Sequence, residues 1–479
     1  MTAHRTRPDR TRRIAPLIPC LVAALAWATA AGAGPLPERG AIAITDVTII
    51  DVEHGRTIGP RTVLIDGGRI VAIALPRDAR IPATAQRLAG RGRFLIPGLV
   101  DMHVHLFNHA SRRPPNDWSF PVFIASGVTA VRDMNTAPPE LALVQRWRKA
   151  LDDGELVAPR ILTACVSVQG RSPGDAAGQV DAAGAAGADC IKIYSELPVS
   201  HWRAVVDSAR SRSLPVVGHV PAGVSLLAAA AAGLRSNEHL MQAYEACSSV
   251  EAQLLEQRRD LASDALIARR DEQEQRALDA FDPGACRRTA EALAATGQTQ
   301  VPTLVLGHAE SIPRTAPPGD DPRWRYLRAD ERARWERILA SVTPRDVALG
   351  NSRWQTSRRI VAAFHRAGVP MLAGTDAPMP RIYPGSSLHD EIALLVESGL
   401  TPLEALRSAT LQPARFLGIA ATTGSVAVGK RADLVLLDAD PTRDIHNTQR
   451  IHAVVLDGRL LPRDALDALL ADLARAQAP

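Results

Sequence analysis

Lysine is almost missing from this chain: Lys149, Lys192 and Lys430 are the three among 56 basic residues, so nearly every positive charge is an arginine. Net charge is low as well. Five arginines between Arg5 and Arg13, against Asp9, supply +4 of the formal +5. The rest of the chain is close to neutral, which excludes the basic stripe a nucleic-acid partner requires. No internal repeat and no long low-complexity tract occurs, so a solenoid is excluded. Cysteines number five. Cys165 and Cys190 lie in strand-like runs and read as small, buried, unpaired apolar side chains. Cys247 and Cys286 flank a charged helical stretch, and both a bridge between them and free thiols stay open.

The longest apolar stretch, "IAPLIPCLVAALAWATA", falls short of the ~20 residues a membrane span needs. A basic start before it and small residues at "ATA" and "AGA" after it give residues 1–33 the layout of a cleaved signal peptide. The expected location is therefore secreted or periplasmic, with no membrane attachment after cleavage; a retained anchor helix is the alternative.

What is present is an α/β pattern. Residues 41–94 and 420–462 alternate apolar and polar positions between Gly-rich turns and read as a small β-sandwich built from both ends of the chain. Between them, over 95–419, eight short apolar runs alternate with helical stretches: "LIPGLVDMHVHL", "VTAVRDM", "RILTACVSV", "ADCIKIYSE", "PVVGHV", "RSNEHLM", "QVPTLVL" and "VPMLAGTDAP". Eight strands joined by helices predict a (β/α)8 TIM barrel, whose chemistry gathers at the C-terminal strand ends. Helix-rich insertions near 243–297 and 310–365 are expected to overhang that face.

His103 and His105 end the first run, and alternation along a strand turns both toward the same side. By itself that pair is a modest signal. Lys192, His219, His239 and Asp376 stand at the ends of the fourth, fifth, sixth and eighth runs. Those six donors could hold metal ions. Lys192, set between Ile191 and Ile193 in a chain that otherwise uses arginine, is the most informative of them. A desolvated amine loses its proton and can capture CO2 as a carbamate, a reaction closed to guanidinium. Two divalent cations facing Asp376, a carbamate and a hydroxide leave one net positive charge for a developing oxyanion, whereas an ammonium would leave three.

"PGLVDMHVHL", "IKIY", "VGHV", "NEHL", "GTDAP", "SSLHDEI" and "GKRADLVLLD", in this order and spacing, resemble the amidohydrolase superfamily, in its imidazolonepropionase-like and prolidase-like branch. The likeness runs from about residue 41 to 460. It implies that His103, His105, Asp376 and a Lys192 carbamate hold one metal ion, and that His219, His239 and the same carbamate hold the other. It also implies that Asp376 is the catalytic proton carrier. Nitrogen and oxygen donors without thiolate suit Zn2+ best.

The resulting expectation is an exported binuclear enzyme that hydrolyses a C–N bond of an amide, cyclic amide or dipeptide-like small molecule through a metal-bridged hydroxide. Alternatives are an Xaa-Pro-type dipeptidase, a lactone or phosphoester hydrolase, and a non-catalytic binding module of the same fold. A homo-oligomer is left open. Many prolidase-like relatives carry "GGH" after the third strand, where this chain reads "VQGRSPGD". Arg171 is therefore a candidate for the carbonyl-polarising role or for a carboxylate clamp. Tyr194, two residues after Lys192, and His389 in "SSLHDEI" are the other substrate-binding candidates. Asp133 in "VRDM" is expected to pair with a neighbouring strand, and His109 and His308 are weaker rim candidates.

Overall fold

The computed structural model describes residues 37–107, 113–259, 261–313 and 318–478. The leader over residues 1–33, Cys20 and His109 lie outside the described residues.

Seven parallel strands pair in chain order: Leu99–Val104, Val128–Thr136, Arg160–Ser167, Cys190–Ile193, Val216–Gly218, Leu234–Glu238 and Thr299–Val301. Leu99–Val104 and Cys190–Ile193 are buried at every position, as expected of parallel strands covered on both faces. The eighth place in the ring is taken by an irregular stretch over 370–377. Its backbone bonds Gln300 on one side and Met102, His103 and His105 on the other. That double attachment closes the barrel. Helices pack around it, with sharp starts where the sequence supplies caps. Ser172 accepts from the Asp175 amide ahead of Pro173–Ala185, and the Thr343/Asp346 capping box opens Pro344–Arg366.

Both ends of the chain meet in one connected eight-stranded mixed sheet. Ile42–Asp51 pairs in parallel with Phe94–Pro97, and Phe94–Pro97 pairs antiparallel with Leu434–Leu437. Ile44, Val63, Leu95, Leu434 and Val455 join in a core separate from that of the barrel. Phe94–Pro97 thus belongs to the terminal sheet, and the barrel begins at Leu99. A final helix, Arg463–Ala476, packs on Phe120–Ala125.

The reading of Cys165 and Cys190 as unpaired is corrected. They are register partners on the third and fourth barrel strands, with Cα atoms 4.5 Å apart, and they form a disulfide. Strand pairing brings together two cysteines that lie 25 residues apart. Cys247 and Cys286 are bridged as well and tie the first insertion together. Among the described residues no helix is long and apolar enough to cross a membrane.

Candidate metal centre

All six expected donors sit at the C-terminal ends of barrel strands or directly after them. His103 Nε2 lies 3.1 Å from Asp376 Oδ1, and His105 Nε2 lies 2.7 Å from the same oxygen. Ring centroids of His103 and His239 are 4.6 Å apart, and those of His219 and His239 are 5.0 Å apart. His103, His239 and Asp376 each offer a ligand atom within 4.8 Å of the others.

The tautomers are fixed from behind. His103 Nδ1 faces Glu238 Oε2 at 2.8 Å, and both Glu238 oxygens accept from Arg132 Nη2 at 2.9 and 3.0 Å. Burial alone would raise the Glu238 pKa. The Arg132 guanidinium and His103 instead hold it well below the ordinary carboxylate range. An ionised Glu238 accepts from Nδ1 of His103, so that nitrogen carries a proton and Nε2 is the one turned toward Asp376. His239 is set in the same way. Thr303 Oγ1 donates to Pro302 O at 2.8 Å, so it accepts from His239 Nδ1 at 2.7 Å. Burial lowers the His239 pKa to about 3 and that of His219 well below its usual value, which keeps both imidazoles neutral.

Nε2 of His103 lies 3.1 Å from the Asp376 carboxylate, which burial alone would neutralise and which the adjoining His105 and His103 side chains hold ionised, well below the ordinary carboxylate range. Imidazole nitrogens and a carboxylate oxygen that converge at such separations can share a cation. Among the described residues, His103 Nε2, His219 Nδ1 and Lys192 Nζ are buried without a hydrogen-bond partner. A divalent ion satisfies that donor set, and the residues fit it.

Lys192 is fully buried, and desolvation brings its pKa down to about 8 against the pull of Glu238 and Asp376. Gly218 makes room for it. A Cβ there would fall 2.7 Å from Lys192 Cδ and 2.4 Å from Ile193 O, on a backbone at φ +122°. His239, Thr303 and Asp376 also have positive φ, at 58°, 46° and 68°. Such strain at non-glycine residues gathers where side chains must be aimed.

A cavity of about 390 Å³ opens over these residues, within the range of small-molecule sites. Its floor includes His105, Lys192, His219, His239 and Asp376, and the insertions supply Tyr244, Arg270, Arg334 and Arg353 to its walls. Wall charges are largely paired, Arg258 with Glu245 at 2.8 Å and Arg353 with Glu310 at 3.0 Å.

Tyr194 lines this cavity. Its ring lies 5.0 Å from Lys192 Nζ and edge-on to His219. Arg171 and His389 are corrected as substrate contacts. The Arg171 side chain is 98 % exposed outside the cavity, because its backbone joins the start of the following helix through Asp175. His389 is buried, with Nδ1 on Thr448 Oγ1 and Nε2 on Ser126 O, both at 2.9 Å, so no ring nitrogen remains for substrate. His308 faces a separate cavity and packs on Trp354. Asp133 accepts from the Leu106 amide at 2.7 Å and so ties the second strand to the end of the first. Sequence reasoning missed Arg132, Glu238 and Thr303. The available signals were an arginine inside the apolar run "VTAVRDM" and a glutamate directly before His239.

A closed parallel barrel with imidazoles and a carboxylate converging at its C-terminal mouth is the architecture of a metal-dependent hydrolase. The chain belongs to the amidohydrolase family, whose model matches residues 94–461, and with it to the hydrolases that act on carbon–nitrogen bonds. It is 26 % identical over 414 residues to the imidazolonepropionase of Sphingopyxis alaskensis, covering 82 % of this chain and 90 % of that one. Among solved structures it resembles bottromycin amidohydrolase, with a TM-score of 0.69, 25 % identity and 91 % of each chain covered. An Xaa-Pro dipeptidase with bound methionine shares the fold, with a TM-score of 0.61, 20 % identity, 88 % of this chain covered and all of that one.

Proposed function

We propose that this protein is an exported, binuclear amidohydrolase that hydrolyses a C–N bond in an amide, cyclic amide or dipeptide-like small molecule. The observation that carries this reading is the convergence of His103 Nε2 and His105 Nε2 on Asp376 Oδ1, at 3.1 and 2.7 Å, beside Lys192 Nζ, which is buried with no hydrogen-bond partner among the described residues. His103, His105 and Asp376 would hold one ion and His219 and His239 the other, with Lys192 between them as a carbamate. The bound ions, Zn2+ by donor chemistry, supply Lewis acidity to the substrate carbonyl and acidify water at the site.

This chain's residues do the rest. Asp376 Oδ1 is engaged by both histidines, so Oδ2 takes the proton of the attacking water and delivers it to the leaving nitrogen. Neutral His219 and His239 keep their lone pairs for ligation. The insertions supply part of the cavity wall, through Tyr244, Arg270, Arg334 and Arg353. Two disulfides and the leader's pattern support export to an oxidising space.

Metal analysis of protein produced with bicarbonate tests the reading. Two ions per chain are expected, falling to one or none in Lys192→Ala. Wild-type protein that takes up no metal would refute it and favour a non-catalytic module.

A further inference from the structure

Resting on the hydrolase reading, we propose that Asn135 is a catalytic residue: its Nδ2 amide hydrogens meet the carbonyl oxygen of the scissile bond as that oxygen gains negative charge.

Asn135 lies near the end of the second barrel strand and lines the same cavity as His105, Lys192, Tyr194 and Asp376. Strand alternation alone would not bring it there. Arg132 is buried on Glu238, and Met134 packs against Cys165 and Cys190, so regular pleating would turn Asn135 to the other face. A bulge intervenes. Against the third strand, Asp133 pairs with Ala164 and Thr136 with Val166, so three steps on one strand match two on the other. Bulges of this kind re-aim a side chain beside active sites.

The amide is held in one orientation. Ser167 Oγ donates to Asn135 Oδ1 at 2.6 Å, and Ser167 is the register partner of Lys192. Asn135 is thereby placed at the level of the metal-holding side chains. Fixing Oδ1 leaves both Nδ2 hydrogens without a partner among the described residues, and Nδ2 is not among the sealed polar atoms. Asn116, another amide of the cavity lining, has its Oδ1 taken by Trp118 Nε1 at 3.1 Å and one Nδ2 hydrogen donated to His105 O at 2.8 Å.

An uncharged, pre-aimed N–H pair suits an oxygen that is neutral in the ground state and negative in the tetrahedral state. Such a donor discriminates between the two without ordering solvent. As water oxygen bonds to carbon, the C=O π pair moves onto the carbonyl oxygen. Asn135 keeps its proton throughout and returns to its resting state when that pair re-forms the double bond and expels the nitrogen.

Calorimetry on the metal-loaded full chain provides the test, with methylphosphonate as a tetrahedral anion probe and acetohydroxamate as a planar metal-directed probe. Asn135→Ala is expected to weaken methylphosphonate on the order of 10²-fold, and Asn135→Asp more. Acetohydroxamate affinity is expected to change less than about 3-fold and metal content not at all. Indifference of methylphosphonate to both substitutions, including absence of binding to the wild type, overturns the assignment. So does a parallel loss of both probes. A wild type that takes up no metal refutes the hydrolase reading itself, a result distinct from metal-loaded protein that ignores Asn135.

Discussion

The residue that most shapes the centre without touching its cavity is Glu238. It is fully buried and receives Arg132 and Ser236 on one side and His103 on the other. A buried carboxylate is tolerable only with that many donors, and the arrangement converts one arginine's charge into a fixed imidazole tautomer. Glu238→Gln keeps the shape and removes the charge. It is expected to weaken metal binding by about 10–100-fold while the protein remains folded, as read by competition with a chromophoric chelator. Unchanged affinity would show that His103 selects its tautomer without help.

Among the elements, the short strand Val216–Gly218 is tightly constrained, since its last residue must leave a groove for the Lys192 stem. Gly218→Ala is expected to cost on the order of 1–3 kcal/mol in thermal unfolding and to lower metal content, because the Lys192 stem and the Ile193 carbonyl cannot both stay in place. At this scale the sequence is a good guide where burial is complete. The eight places of the barrel and the position of His103, His105, Lys192, His219, His239 and Asp376 at its strand ends were legible, because parallel strands write continuous apolar text and polar residues interrupt it at one end. The disulfide between Cys165 and Cys190 was not legible, since it depends on strand register. The Asn135 bulge and the double anchoring of His389 were hidden for a similar reason, each arising from partners on other elements. Arg171 misled because a loop position beside a barrel mouth does not reveal which way its side chain leaves the backbone.

Across the whole molecule, the insertions that cover the barrel are held by few strands of their own. The Cys247–Cys286 bridge spans 39 residues, including the helices Glu251–Arg258 and Ser263–Asp279, which supply cavity wall. Replacing both cysteines with serine is expected to lower oxidised-state stability by about 2–4 kcal/mol, measured by denaturant titration. The difference should vanish when wild type and variant are compared in reductant. Persistence of the gap under reduction would mean that the serines, and not the lost bridge, are responsible.

The terminal sheet bears on how the protein is made. Phe94–Pro97 finds its antiparallel neighbour only in Leu434–Leu437, so a chain still on the ribosome displays that edge throughout synthesis of the barrel. Exposed edges of this sort invite pairing with other chains. A nascent chain halted before Leu434 is therefore an adhesive intermediate, and the emergence of Leu434–Leu437 is what seals it.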